Sequence, residues 1–179
     1  MFKNINIKNS HWKMKIIFLD IDGVLNTDKW EAYMLSQRLP LEDEFGIFFD
    51  KEAINNLAKI LTITKAKIVI HSTWKLGKPL EWLQLLWNKR RLPGHIFDIT
   101  PDIPPYYNKD DEITEWLVNH SEVNDYVILD DEAEFSLSLN KHFVQINSTL
   151  GITKENVIAA IMLLKQDNRI DPSHLLTTP

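Results

Sequence analysis

The sequence predicts an α/β domain of three layers, a five-stranded parallel sheet with helices on both faces. Two patterns predict it. Short apolar runs recur along the chain, and between them stand segments whose apolar residues repeat at helical spacing. Several runs are nearly continuous in β-branched or aromatic residues, as suits strands covered on both faces. Strand alternating with helix implies right-handed crossovers between parallel strands. In such sheets ligands bind at the carboxyl ends of the strands.

The elements follow in order. Strands are expected at residues 14–19, 67–70, 96–99, 126–129 and 143–146. Asp50 can cap a helix over 51–61, with Ile54, Leu57, Ala58 and Leu61 on one face. Pro79 suits a helix start, and residues 80–90 follow, rich in Leu and Trp. Residues 110–120 carry Ile113, Trp116 and Leu117 at helical spacing, and Thr153 can cap a last helix running to about residue 165, with Val157, Ile158, Ile161 and Leu164 as its inner side. Residues 26–49 are longer than an ordinary strand–helix loop and read as a small flap or cap insertion. The domain is expected over 14–166, between an N-terminal extension (1–13) and a loose tail (167–179).

The 179 residues are 44% hydrophobic and 25% charged, enough to bury one core. A net charge of −5 gives no global basic field for a nucleic-acid backbone. Without cysteine, disulfides and thiolate metal sites are excluded. The first 13 residues lack the apolar stretch of a secretory signal, and no apolar run approaches a membrane span. The expectation is a cytoplasmic protein with no membrane association and no obligate protein partner.

Chemistry gathers where the strands end. The first strand runs into Asp20 and Asp22, the second into His71, Ser72 and Thr73, and the fourth into Asp130 and Asp131; Lys109 stands just before a helix. In a parallel sheet these groups converge on one rim. Clustered carboxylates repel one another unless a cation joins them. Oxygen ligands select a hard ion, and Mg²⁺ is the usual choice where phosphate is bound. One aspartate can attack phosphorus and form an acyl phosphate. A second, two residues on, can protonate the leaving oxygen and later activate water. Gly23 lets the backbone turn out of the strand. Ser72 or Thr73, with Lys109, would hold the phosphoryl oxygens.

Plainer readings of each piece exist. A lone D-x-D-G is weak, but no calcium-loop continuation or terminal Glu follows it here. Ser72 alone is most often a turn former. Lys109 at a helix start sits slightly against the helix dipole, which favours a functional role. His71 reads as a packed strand-end histidine. The run Asn88-Lys-Arg-Arg91 suits a helix C-terminus and a solvated face, or a phosphate-backbone contact. Trp74 follows the site directly and suits stacking on a base. Tyr106 and Tyr107 fall in a Pro-rich loop before Lys109 and are candidates for the entrance.

The motifs together resemble the haloacid dehalogenase superfamily of phosphohydrolases. The strings are Phe18-Leu-Asp20-Ile-Asp22-Gly23-Val-Leu25, Val69-Ile-His-Ser72-Thr-Trp-Lys75, Lys109, and Ile128-Leu-Asp130-Asp131, in the family's order. The strings S-T-W-K, I-T-P, V-I-L-D-D and L-G-I-T look closer still to the small dehalogenase-type domain of bacterial RNA-repair proteins of the Swiss Army Knife kind. The resemblance implies a Rossmann-like fold with sheet order 5-4-1-2-3 and a minimal cap. It implies Asp20 as nucleophile and Asp22 as acid/base. Mg²⁺ would be held by Asp20, the backbone carbonyl of Asp22, and Asp130 or Asp131. Ser72 or Thr73 and Lys109 would bind phosphate, with Asn26, Trp74 and Lys75 at the substrate rim. The implied substrate is a phosphorylated small molecule such as a nucleotide, or a nucleic-acid end.

Overall fold

The computed structural model describes residues 14–104, 108–132 and 135–165. The expected extension at 1–13, the tail at 167–179, and Tyr106 and Tyr107 lie outside the described residues. The elements are β1 (Met14–Leu19), α1 (Asp28–Ser36), β2 (Glu42–Asp43), β3 (Gly46–Ile47), α2 (Lys51–Thr64), β4 (Lys67–Ile70), a short 3₁₀ turn (Thr73–Lys75), α3 (Leu80–Lys89), β5 (Ile96–Ile99), α4 (Lys109–Val118), β6 (Val123–Asp130), α5 (Leu137–Asn140), β7 (Phe143–Gln145) and α6 (Lys154–Leu164). Among the described residues, no helix is long and apolar enough to cross a membrane.

Five strands form one parallel sheet in the order β5-β4-β1-β6-β7. This numbering departs from the expected 5-4-1-2-3. The difference arises because β2 and β3, an antiparallel pair outside the main sheet, occupy two numbers. Counted along the main sheet alone and read from the β7 edge, the strands stand fifth, fourth, first, second, third.

The sheet separates two cores because side chains alternate across it. Ile17 and Leu19 of β1, Ile68 and Ile70 of β4, and Val127 and Leu129 of β6 face one core with α2, α3 and α6. Ile16 and Phe18, Val69, and Ile128 face the other, with Ile113 and Trp116 of α4 and Leu139 of α5. These strand residues are fully buried. Continuous apolar runs are therefore required on β1, β4 and β6, since both faces are covered.

Side-chain caps fix the helix starts. Asp50 accepts from the Glu52 amide at 2.7 Å, and the Thr153 and Asn156 pair forms a capping box. A single such cap is worth about 1 kcal/mol. The inner face of α2 is turned slightly from expectation: Ala53, Leu57, Ile60 and Leu61 are buried, whereas Ile54 and Ala58 are half-buried. The segment 26–49 holds α1 and the β2–β3 hairpin.

Candidate active site

Register builds the rim. Leu19 of β1 pairs with Ile70 of β4 on one side and with Leu129 of β6 on the other. The next residues, Asp20, His71 and Asp130, therefore end three adjacent strands at one level. Backbone bonds continue the ladder there: the Asp20 amide donates to the Leu129 carbonyl at 3.0 Å and the His71 amide to the Leu19 carbonyl at 3.2 Å. Each of the three stands two residues beyond a side chain of the α4-side core, namely Phe18, Val69 and Ile128. Period-2 alternation turns all three toward α4.

Helix α4 delivers the cation. Asn108 caps it, its side chain accepting from the Asp110 amide at 2.9 Å. Lys109 is the first helical residue. Its Nζ donates to Asp20 Oδ2 at 2.8 Å and to Asp130 Oδ2 at 2.9 Å, and lies 3.0 Å from Glu132 Oε1. Burial works against the ammonium, but the charges of Asp20 and Asp130 outweigh it and raise its pKa. Lys109 therefore stays charged.

The carboxylates form a tight cluster. Asp20, Asp130 and Asp131 each offer an oxygen within 4.8 Å of the others. Burial, then the charge of Asp20, pushes the Asp130 carboxyl up to about 7, with Lys109 opposing. Asp131 is raised for the same two reasons. Three hard oxygen donors close enough for one cation to join them, and held at a repulsive distance without it, fit Mg²⁺. Gly23 is needed beside them. Its φ is +69°, and a Cβ there would stand 2.7 Å from Asp131 Cγ.

His71 is part of this rim, which its sequence reading as a packed residue only half captures. It is buried, with its ring between Phe18 and Phe135 at 6.4 Å from each. Its Nε2 stands 3.0 Å from Asp130 Oδ2. The angle is poor, and neither ring nitrogen makes an aligned hydrogen bond. We read it as a close polar contact. Burial, chiefly, drops the His71 pKa to about 3, with Lys109 and Lys75 adding to the effect, so the ring is neutral.

Asp22 stands apart from the carboxylate cluster. Its carboxylate is exposed and takes hydrogen bonds from Asn26 Nδ2 at 2.7 Å and from Trp74 Nε1 at 3.0 Å to each oxygen. A metal contact by its side chain is therefore not part of this arrangement. Asn26 and Trp74, expected at a substrate rim, both donate to Asp22.

Ser72 is buried and Thr73 exposed. Both border a cavity of about 210 Å³ with His71, Lys109, Glu132 and Phe135. Ser72 Oγ accepts from the Trp74 amide at 3.4 Å, which caps the 3₁₀ turn. Lys75, expected at the rim, lines this cavity as well. It is 3% exposed and pairs with Asp102 and with Glu112 Oε2 at 3.1 Å, because a buried ammonium needs compensation. Arg90, from the basic run, is spent on the hairpin: its Nε donates to Asp43 Oδ2 at 3.0 Å and its Nη2 to the Gly46 carbonyl at 2.7 Å. A larger cavity of about 480 Å³ lies toward β5, lined by Lys75, Pro79, Trp116 and His120 among others. It does not reach Lys109, whereas the smaller cavity is lined by Lys109, the lysine that bonds Asp20 and Asp130.

Sequence reading missed Glu132 on Lys109, His71 on Asp130, and Asp102 and Glu112 on Lys75. Alternation past β4 marks His71 as sharing a face with Val69, a signal present in the sequence. The others are long-range pairings with no local signature.

Residues 16–157 match the family model described as "HAD domain in Swiss Army Knife RNA repair proteins". No curated protein and no solved structure matches the chain.

Proposed function

Because the chain belongs to this family of haloacid dehalogenase-type domains, we propose that it is a Mg²⁺-dependent phosphatase that hydrolyses a phosphomonoester through an aspartyl phosphate. The observation that carries the reading is the contact of the buried Asp20 carboxylate with Lys109 inside the three-carboxylate cluster. An acid at a strand end, flanked by a fixed cation and by further carboxylates, suits attack on an anionic phosphoryl group.

Asp20 is the nucleophile. Its carboxylate oxygen bonds to phosphorus while the bond from phosphorus to the leaving oxygen breaks. The electron pair goes to that oxygen, which takes a proton from Asp22. Asp22 then takes a proton from water as the water oxygen bonds to phosphorus. The phosphorus bond to Asp20 breaks, and its electron pair returns to the carboxylate. Lys109 and the Ser72 hydroxyl hold the phosphoryl oxygens. Ser72 is preferred over Thr73 because it directly follows the rim residue His71 and is buried, whereas Thr73 is exposed. Asp20, Asp130 and Asp131, with the Asp22 backbone carbonyl, would hold Mg²⁺, which supplies charge neutralisation between nucleophile and phosphate.

The segment 26–49, carrying α1 and the hairpin, serves as a small cap, with the catalytic domain spanning 14–166. The family's link to RNA repair supports a nucleotide or a nucleic-acid end as substrate.

The test is Mg²⁺-dependent phosphate release from an aryl phosphate, run beside Asp20→Asn. Release is expected to stop with chelator and in the variant. A folded Asp20→Asn protein with wild-type turnover would refute the mechanism.

A further inference from the structure

Asp22 is an exposed aspartate, which in water would turn freely among its rotamers, yet it is held by two donors, Asn26 Nδ2 and the Trp74 indole N–H, the latter shared between both carboxylate oxygens. The geometry points to Trp74 as a positioning residue that, with Asn26, holds Asp22 at a fixed angle for proton transfer. This rests on the reading of Asp22 as the acid/base.

Each member of the clamp is itself fixed. Asn26 accepts from the Gly23 amide at 3.1 Å through its Oδ1, which orients its amide so that Nδ2 faces Asp22. Trp74 lies on the 3₁₀ turn that Ser72 caps and that the buried Lys75 anchors. Its ring packs on Phe49 at 5.6 Å and lies beneath Gly46, where a Cβ would come within 3.3 Å of the ring. A packed indole has few rotamers left, so its N–H is a preorganised donor. The partition of bonds is uneven. Asp22 Oδ1 accepts from both Asn26 and Trp74, while Oδ2 accepts from Trp74 alone. A carboxyl oxygen accepts about two bonds, so Oδ2 keeps the free position and is the oxygen that carries the shuttled proton.

This assignment makes a prediction that packing alone would not. As the bond from phosphorus to the leaving oxygen breaks, the need for a proton grows with the basicity of that oxygen. An alkoxide needs it far more than a nitrophenolate. The experiment compares an alkyl phosphate and a nitrophenyl phosphate on the Mg²⁺-loaded full chain for wild type, Asp22→Asn and Trp74→Phe. Asp22→Asn should lose roughly 10²–10⁴-fold on the alkyl ester, the usual size of general-acid catalysis, and much less on the aryl ester. Trp74→Phe should show the same pattern in miniature, its loss about tenfold greater on the alkyl ester and carried by kcat rather than KM. Equal losses on both esters for Trp74→Phe, with Asp22→Asn still discriminating, would overturn the positioning role. Equal losses for Asp22→Asn would overturn the acid/base reading itself, and the positioning role with it. If Trp74→Phe does not fold, benzothienylalanine at position 74 keeps the ring shape and removes only the N–H. The same comparison then decides.

Discussion

Lowering the pH should weaken Mg²⁺ binding in a range where ordinary aspartates are silent. Asp130 is the reason. In the metal-free protein its carboxyl is pushed up to about 7 by burial and by the neighbouring charge of Asp20. A metal ion takes it as a carboxylate, so below that pKa binding must displace a proton. From pH 8 to 5.5 the cost is a factor of about 30, or roughly 2 kcal/mol at 1.36 kcal/mol per unit. An aspartate near 3.8 would change the affinity by only a few per cent over the same range. Asp131, also raised, steepens the fall. His71 does not contribute, since a ring held near 3 is neutral throughout. Calorimetric titration of Mg²⁺ in two buffers of different ionisation heat reads both quantities. Close to one proton should be released per ion at pH 6 and almost none at pH 8. An affinity that is flat between these values, with no proton release, would refute the placement of Asp130 in the metal site or its raised pKa.

The two neighbours should also leave opposite marks on folding. The stability due to His71, whose folded pKa is depressed, is present above about 6.5 and lost as the pH falls toward 3. The stability due to Asp130, whose folded pKa is raised, is present below about 3.8 and lost as the pH rises through 7. In metal-free wild type the two largely cancel between pH 4 and 6.5. Asp130→Asn should unmask His71, costing about 2 kcal/mol between pH 7.5 and 5 in denaturant titrations; a variant as flat as wild type would contradict the neutral buried ring. Gly23→Ala places a Cβ against Asp131 at a positive φ and should cost about 1–3 kcal/mol. It should also weaken Mg²⁺ binding, and an unchanged melting point and metal titration would show that the approach is looser than described. Lys109→Met and Lys75→Met should differ in kind. The first should cut turnover by at least about 10²-fold, as loss of one oxyanion donor does. The second should cost about 3–5 kcal/mol of stability by stranding Glu112, seen in thermal melts. A large turnover loss confined to Lys75→Met would exchange their roles.

Much of this was legible in the sequence because the fold is written in local terms. The apolar runs at β1, β4 and β6 are continuous since both sheet faces are covered, and Asp50 and Thr153 announce their helices by side-chain chemistry. Helix α1 was not legible: Met34 is its one buried residue, so no apolar stripe marks it. The β2–β3 pair is two residues long on each side, too short for alternation to register. Lys75 and Lys109 look alike in sequence, each a lysine near a strand-end motif. Only the tertiary placement of Asp102 and Glu112 around one, and of Asp20 and Asp130 around the other, separates them. The clamp on Asp22 was hidden for the same reason, since Trp74 lies 52 residues away.

The arrangement also explains why two acids stand one residue apart at the end of a buried strand. Asp20 keeps the strand's alternation and shares the α4 side with His71 and Asp130, where Lys109 meets it. Asp22 would fall on that same side if the strand ran on, adding another charge to a crowded cluster. The chain instead leaves the strand at once: the amides of Val24 and Leu25 turn back to the Ile21 carbonyl, and Gly23 takes a positive φ. That turn carries Asp22 out of the carboxylate cluster and into reach of Asn26 and Trp74. One acid thus meets Lys109 and the neighbouring carboxylates, and the other meets neutral N–H donors. In the proposed mechanism, the turn at Gly23 is what gives two identical side chains the separate roles of nucleophile and proton shuttle.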